Sequence, residues 1–446
     1  MESQIKTFSY PNREIQRVQA VTLDSWESLE FLELSGSDRT LERFSGIYRD
    51  FLVPAAPWLF GNMIMFRLPE GTDADFPFET VSCGQVAHPL TAAAVALKEG
   101  VRIVNGKPHF RNDQVKAFWQ ELEQQDRVRI VSGKLPITTV IPLGEVPGYL
   151  TEVEPDAALK VNASFFIMDR FDCATVYDHV GTPFGLCVKD GKVIRPPLYG
   201  REALLVYKDG HSQIRPLDVG MLKLNIQGQA LIPGENCRIY SRPRHIRSDF
   251  RAGQALVIVG NRVEAVGHGS LPVPASGFVL CPQNSISVAP GDIVTYEGLE
   301  EVAFGIQVGN SILKEGVPTE KFLSSFYNIR KLDPVPFPPS LYPMDFDRAR
   351  AARIALGSDA EGKPMILWAE GAAKFGYVPG QGSCGASLSE MSRLCAQMGM
   401  VNAVNLDGGG SAQILLDNRR SLEISDRSRE DHSEAERPVP LALMVR

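Results

Sequence analysis

Three consecutive glycines constrain this chain more than any other feature. Gly408, Gly409 and Gly410 lie in Val401-Asn-Ala-Val-Asn-Leu-Asp-Gly-Gly-Gly-Ser-Ala-Gln-Ile-Leu-Leu416, between two apolar runs of strand character. A tight hairpin needs one or two residues at positive φ, which glycine supplies. A third glycine adds conformational entropy cost without improving the turn. Side-chain-free residues in a row let backbone approach a ligand closely and aim several N–H groups at an anion. Asp407, at the strand end, then projects a carboxylate into the same cleft. An ordinary glycine hairpin is the alternative reading of the same string.

The chain around this string changes texture near residue 135. Before it the signal is helical. Leu41, Phe44, Tyr48 and Phe51 recur at helical spacing up to Pro54, and Val115, Phe118, Trp119 and Leu122 follow Asn112-Asp113. After it come short strands: 128–131, 137–141, 186–189, 192–195, 203–207, 255–259, 262–266 and 303–307. Asp190-Gly191 and Gly260-Asn261 sit between paired runs as two-residue hairpin turns. The proline-dense segment 331–346 reads as a connector. Beyond it the order is strand (364–369), loop, helix (388–399), strand (401–406), turn, strand (412–416). That helix has an apolar face of Leu388, Met391, Leu394, Cys395 and Met398, a Ser387/Glu390 capping box, and Gly399 as its stop. The expectation is an α+β fold. It has a helix-containing N-terminal accessory region over 1–135 and a β-rich catalytic domain with mixed sheets and a few helices over 136–446.

Charge and cysteine usage narrow the partners. Lys plus Arg is 46 against Asp plus Glu 53, a net −7 in 446 residues. A nucleic-acid polymer or an anionic membrane surface needs a cationic field, so neither is expected as a partner. No charge-poor stretch reads as a bilayer span, and Met1-Glu-Ser-Gln-Ile-Lys6 has no apolar signal region. Seven cysteines without a C-x-x-C pair read as free thiols in a reducing compartment, which points to a cytoplasmic protein.

Most templates for catalysis or cofactor binding are missing. The chain has no P-loop, no H-E-x-x-H and no G-x-S-x-G, and its seven histidines are scattered. No cofactor is expected, with a divalent cation left open. Gly380-Gln-Gly-Ser-Cys-Gly385 does match G-x-G-x-x-G, before a helix, a strand and Asp407. A dinucleotide-dependent oxidoreductase therefore stands as one alternative. Pro379 at the preceding segment and only 39 residues after Asp407 count against it. The basic cluster Tyr240-Ser-Arg-Pro-Arg-His-Ile-Arg247 reads as a solvated turn.

Several strings together resemble the phosphodiester glycosidase family. Asn405-Leu-Asp-Gly-Gly-Gly-Ser411 carries the family's hallmark without change. Asn162-Ala-Ser-Phe-Phe166 is similar to its Asn-Gly-x-Phe-Phe, and Arg353-Ile-Ala-Leu-Gly357 to its Arg-Thr-Ala-Ile-Gly. Glu370-Gly371-Ala372 stands where the family has Asp-Gly-Arg. Ser383-Cys-Gly-Ala-Ser-Leu388 and Glu436-Arg437-Pro-Val-Pro440 resemble its helix-opening and closing segments. The resemblance covers 135–446 and implies hydrolysis of a sugar-1-phosphodiester at the anomeric carbon, with release of free sugar and a phosphomonoester. The expected partner is thus a small-molecule or glycan substrate with an anomeric phosphate. It further implies Asp407 as first catalytic carboxylate, Glu370 as second, and Arg353 as the fork that stabilises the departing phosphate. Gly408, Gly409 and Gly410 would offer backbone N–H groups, and Asn162, Asn405 and Ser411 hydrogen bonds to hydroxyls or phosphate. A non-catalytic glycan- or phosphoglycan-binding protein on the same scaffold is the second function class. Which sugar, which stereochemical course and which oligomeric state all stay open.

Overall fold

Alternating apolar side chains assemble the sheet that carries the glycine motif. In Arg353–Asp359, Ile354 and Leu356 enter one core and Ala355 the other. In Pro364–Ala369, Ile366 and Trp368 oppose Met365, Leu367 and Ala369. A computed structural model describes residues 1–34, 62–68, 101–104, 107–124, 128–132, 138–142, 147–167, 175, 177–178, 181–242, 244–249, 253–319, 350–373, 377–428 and 431–446. Seven strands form the sheet, in the order Glu2–Ser9, Ile15–Thr22, Pro364–Ala369, Arg353–Asp359, Met400–Asn405, Ser311–Lys314 and Val317–Pro318. Every neighbouring pair is antiparallel.

The helix Leu388–Gln397 covers one face with Leu388, Met391, Leu394 and Cys395, and both bonds of its expected capping box are present. The other face shares a core with a four-stranded sheet ordered Ile414–Leu416, Leu159–Asn162, Leu441–Val445, Glu30–Glu33. Further antiparallel sheets come from the middle of the chain. The expected hairpins are among them, with Lys189 paired to Lys192 across Asp190-Gly191 and Val259 to Arg262 across Gly260-Asn261.

This fold is mostly β, as expected for 136–446, with fewer helices than the α+β expectation implied. Among the described residues there are two α-helices, Asp113–Gln124 and Leu388–Gln397. The first is the helix expected after Asn112, whose side chain accepts the Val115 N–H at 2.9 Å, and it buries Val115, Phe118 and Trp119. The helix expected over 41–51 and the connector at 331–346 lie outside the described residues. The chain before residue 135 is not helix-rich at its start: Glu2–Ser9, Ile15–Thr22 and Glu30–Glu33 are strands. Ile15-Gln-Arg-Val-Gln-Ala-Val-Thr22 is β-branched at four positions, and its fully buried Val18 and Val21 enter opposite cores. These strands enter the sheets that carry the motif residues.

The oxidoreductase alternative fails on topology. A dinucleotide crevice needs parallel strands around the glycine turn. Here the strand that follows the helix, Met400–Asn405, is antiparallel to both neighbours, and Gly380–Gly385 is a loop bridged to Ile15. Cys187, Cys237, Cys281, Cys384 and Cys395 are buried free thiols. Among the described residues no helix is long and apolar enough to cross a membrane.

Candidate active site

Strand register decides which motif residues meet. Arg353 pairs with Ala369, and Ala355 with Asn405. Residues 353, 370 and 407 therefore reach the same end of the sheet. The strand of Arg353 lies between the other two, so the Glu370 and Asp407 strands are not neighbours. Two strand spacings separate their backbones by about 10 Å.

Asp407 leaves its strand to cross to the second sheet. Its N–H donates to Ala163 O at 2.9 Å, and its carbonyl accepts the Asn162 Nδ2 at 2.8 Å. Asn162 Oδ1 in turn accepts the Gln413 N–H at 2.9 Å. Asn162 thus clamps both sides of the glycine loop from a buried position. Gly409 has φ +58°, and Gly409–Ser411 closes as a 3-10 turn. The backbone does not form the open nest that three glycines suggested. Gly408 N–H donates to Asp407 Oδ1 at 2.9 Å, and Gly409 N–H to Ala352 O at 2.8 Å.

The Asp407 side chain is only 8% exposed, and burial pushes its pKa up to about 7. The Ser411 hydroxyl, Arg437, the Gly408 N–H and Arg353 each pull it back down. Burial, not repulsion from a second carboxylate, is what raises it. Arg353 is also buried, with Nε donating to Ala386 O at 3.1 Å, just before the helix.

Behind Ser411 stands a buried ion pair. Arg437 donates from Nε and Nη2 to Asp426 Oδ2 at 3.1 and 2.9 Å, and from Nη1 to Ser411 Oγ at 3.3 Å. Gly410 is small because this pair is there. A Cβ at 410 would lie 2.1 Å from both Arg437 Nη2 and Asp426 Oδ2.

Glu370 is held by protein groups. Arg17 Nε donates to its Oε2 at 2.6 Å, the Ser383 hydroxyl donates to the same oxygen, and Glu423 N–H donates to Oε1 at 2.9 Å. Gln16 Nε2 takes its backbone carbonyl at 2.8 Å. Asn405 is fully buried, with its backbone bonded to Gly309 and Asn310. Both polar atoms of its side chain, Oδ1 and Nδ2, are buried without a hydrogen-bond partner among the described residues. Among the described residues no group of three or more His, Cys, Asp or Glu is placed to hold a metal ion.

The sequence model of the phosphodiester glycosidase family matches residues 156–446, which include every residue of this site except Gln16 and Arg17. The chain belongs to the phosphodiester glycosidase family.

Two curated proteins are similar over a shorter stretch. Mouse N-acetylglucosamine-1-phosphodiester alpha-N-acetylglucosaminidase is 32% identical over 100 residues, 22% of this chain and 18% of that protein. The human protein of the same name is 30% identical over 95 residues, 21% of this chain and 17% of that one. The match thus spans under a fifth of either relative's length. The crystal structure of the zebrafish N-acetylglucosamine-1-phosphodiester alpha-N-acetylglucosaminidase catalytic domain has 12% identity and a TM-score of 0.38, covering 100% of this chain and 82% of that one.

Sequence reasoning about this phosphodiester glycosidase missed Asp426, Arg437, Arg17 and Ser383 as site residues. Arg437 stood in a noted segment, and a lone arginine opening the apolar run Pro438–Met444 was its available signal. Arg17 carried none, because nothing local says that its strand pairs with one about 350 residues later.

Proposed function

We propose that this phosphodiester glycosidase hydrolyses a sugar-1-phosphodiester at the anomeric carbon, with Asp407 as the reacting carboxylate. The bond from the anomeric carbon to the phosphate oxygen breaks, water oxygen replaces it, and a free sugar and a phosphomonoester leave. A phosphate departs far more readily than a sugar alkoxide, so the demand on a general acid is small. The demand falls instead on a carboxylate that activates water or attacks carbon, and on cations near the leaving oxygens.

One observation carries this reading: a buried Asp407 carboxyl whose pKa is pushed up to about 7, with Arg353 and Arg437 acting on it. A base poised near working pH combines a populated charged form with useful basicity. Arg353 is the fixed cation for the departing phosphate. Glu370, engaged by Arg17, Ser383 and the Glu423 N–H, is the anchor that ties the loop before the helix to the sheet end.

A panel of sugar-1-phosphodiesters tests the reading, scored by reducing sugar and phosphomonoester released. Either role of Asp407 requires the ionised form, so kcat/KM rises with pH through about 7. Saturable binding of the panel without any release would favour the glycan-binding alternative and sink the hydrolase.

A further inference from the structure

The Asp426–Arg437 pair is buried and touches the glycine turn, and Asp426 has no role in the chemistry assigned so far. Asp426 and Arg437 are 5% and 4% exposed, and Arg437 Nε and Nη2 both converge on one Asp426 oxygen. The third contact is the informative one. Arg437 Nη1 donates to Ser411 Oγ at 3.3 Å, occupying a lone pair of a fully buried hydroxyl. With an arginine against its oxygen, Ser411 has its proton left to give, and this hydroxyl is the group that pulls the Asp407 pKa down most. Gly410 lets the pair come this close, since a Cβ there would meet both of its members at 2.1 Å.

We propose that Asp426 and Arg437 are positioning residues that fix the Ser411 hydroxyl as a one-way donor and so set the orientation and charge state of Asp407. The inference rests on the reading of Asp407 as the reacting carboxylate. Removing one member of a buried pair leaves the other uncompensated, so the chain keeps both or neither. Asp426 cancels much of the Arg437 charge. Without it, Arg437 would hold Asp407 more firmly as the anion, a weaker base. The charged groups acting on Asp407 are Arg353 from the central sheet and Arg437, with its Asp426 counter-charge, from the C-terminal segments.

The two halves of the device make opposite predictions. Ser411→Ala removes the hydroxyl donated to the charged form, and the Asp407 midpoint moves up by about one pH unit. Asp426→Asn keeps the shape, leaves the Arg437 charge uncancelled, and moves the midpoint down by a similar amount. Carboxyl-13C NMR of protein labelled at aspartate reads this directly, with the Asp407 signal assigned by its absence in Asp407→Asn. Opposite shifts support the relay. Unchanged midpoints, or shifts of one sign, in folded variants overturn it. If Asp426→Asn does not fold, the Ser411→Ala midpoint decides alone: an upward shift supports the relay and no shift overturns it. This readout is independent of turnover. Intact opposite shifts in a protein that releases no sugar would reject the hydrolase reading and leave the relay standing.

Discussion

At the scale of single residues, Asp407 sets reactivity against stability. Its folded pKa of about 7 lies above the ordinary 3.8. A carboxyl raised in this way contributes stability fully below pH 3.8, and the contribution is lost as pH rises through 7. The whole shift is worth roughly 4 kcal/mol. Asp407→Asn should therefore lose about 10²–10⁴ in rate while gaining resistance to urea, by an amount that grows from pH 4 to pH 7 and then levels. An Asn variant no more stable than wild type at pH 8 would contradict the burial account. The glycines divide similarly. Gly409→Ala meets no atom within 4 Å and pays only for φ +58°, about 1 kcal/mol. Gly410→Ala must displace a buried ion pair, and its melting temperature and activity should both fall well below those of Gly409→Ala. The hallmark string made Asp407 and the glycines legible in advance. Asp426 was not, and Arg437 only as a lone arginine in a noted segment, because a pair formed by two loops leaves no periodic trace in either.

At the scale of elements, the helix start and the site are mechanically joined. Ser387 accepts the Glu390 N–H at 3.2 Å, and Glu390 returns a carboxylate to the Ser387 N–H at 2.9 Å. Ala386, one residue earlier, exchanges two backbone bonds with Ala351 and accepts from Arg353 Nε. Ser387→Ala should cost about 1 kcal/mol in chemical denaturation and also lower kcat, by loosening the carbonyl that holds Arg353. A stability loss with kcat untouched would show that the cap serves the helix alone. Elements of this kind were readable because their determinants are local: an alternating run, an Asp-Gly turn, a capping box. Strand order is not local. Glu370 and Asp407 follow strands that a third strand separates, because sheet neighbours are chosen by packing of whole faces.

At the scale of the molecule, the described chain closes head to tail. Ile15–Thr22 pairs with Pro364–Ala369, and Glu30–Glu33 with Leu441–Val445. Arg17, Gln16 and Ile15 bind Glu370, Ser383 and Cys384 across this seam. A chain begun at residue 24 should lose cooperative melting and all activity together, because Val18, Ala20 and Val21 leave both cores open. Retained melting and turnover would make the first two strands a dispensable edge. The seam also has a cost in time. Arg17 waits for a partner 353 residues further on. At about 5–20 residues per second that is roughly twenty seconds to a minute of synthesis. Throughout it the strand is paired on one edge only, with Glu2–Ser9, and its other edge and buried valines stand exposed, so the nascent protein depends on whatever shields that edge until the ribosome has delivered its second neighbour.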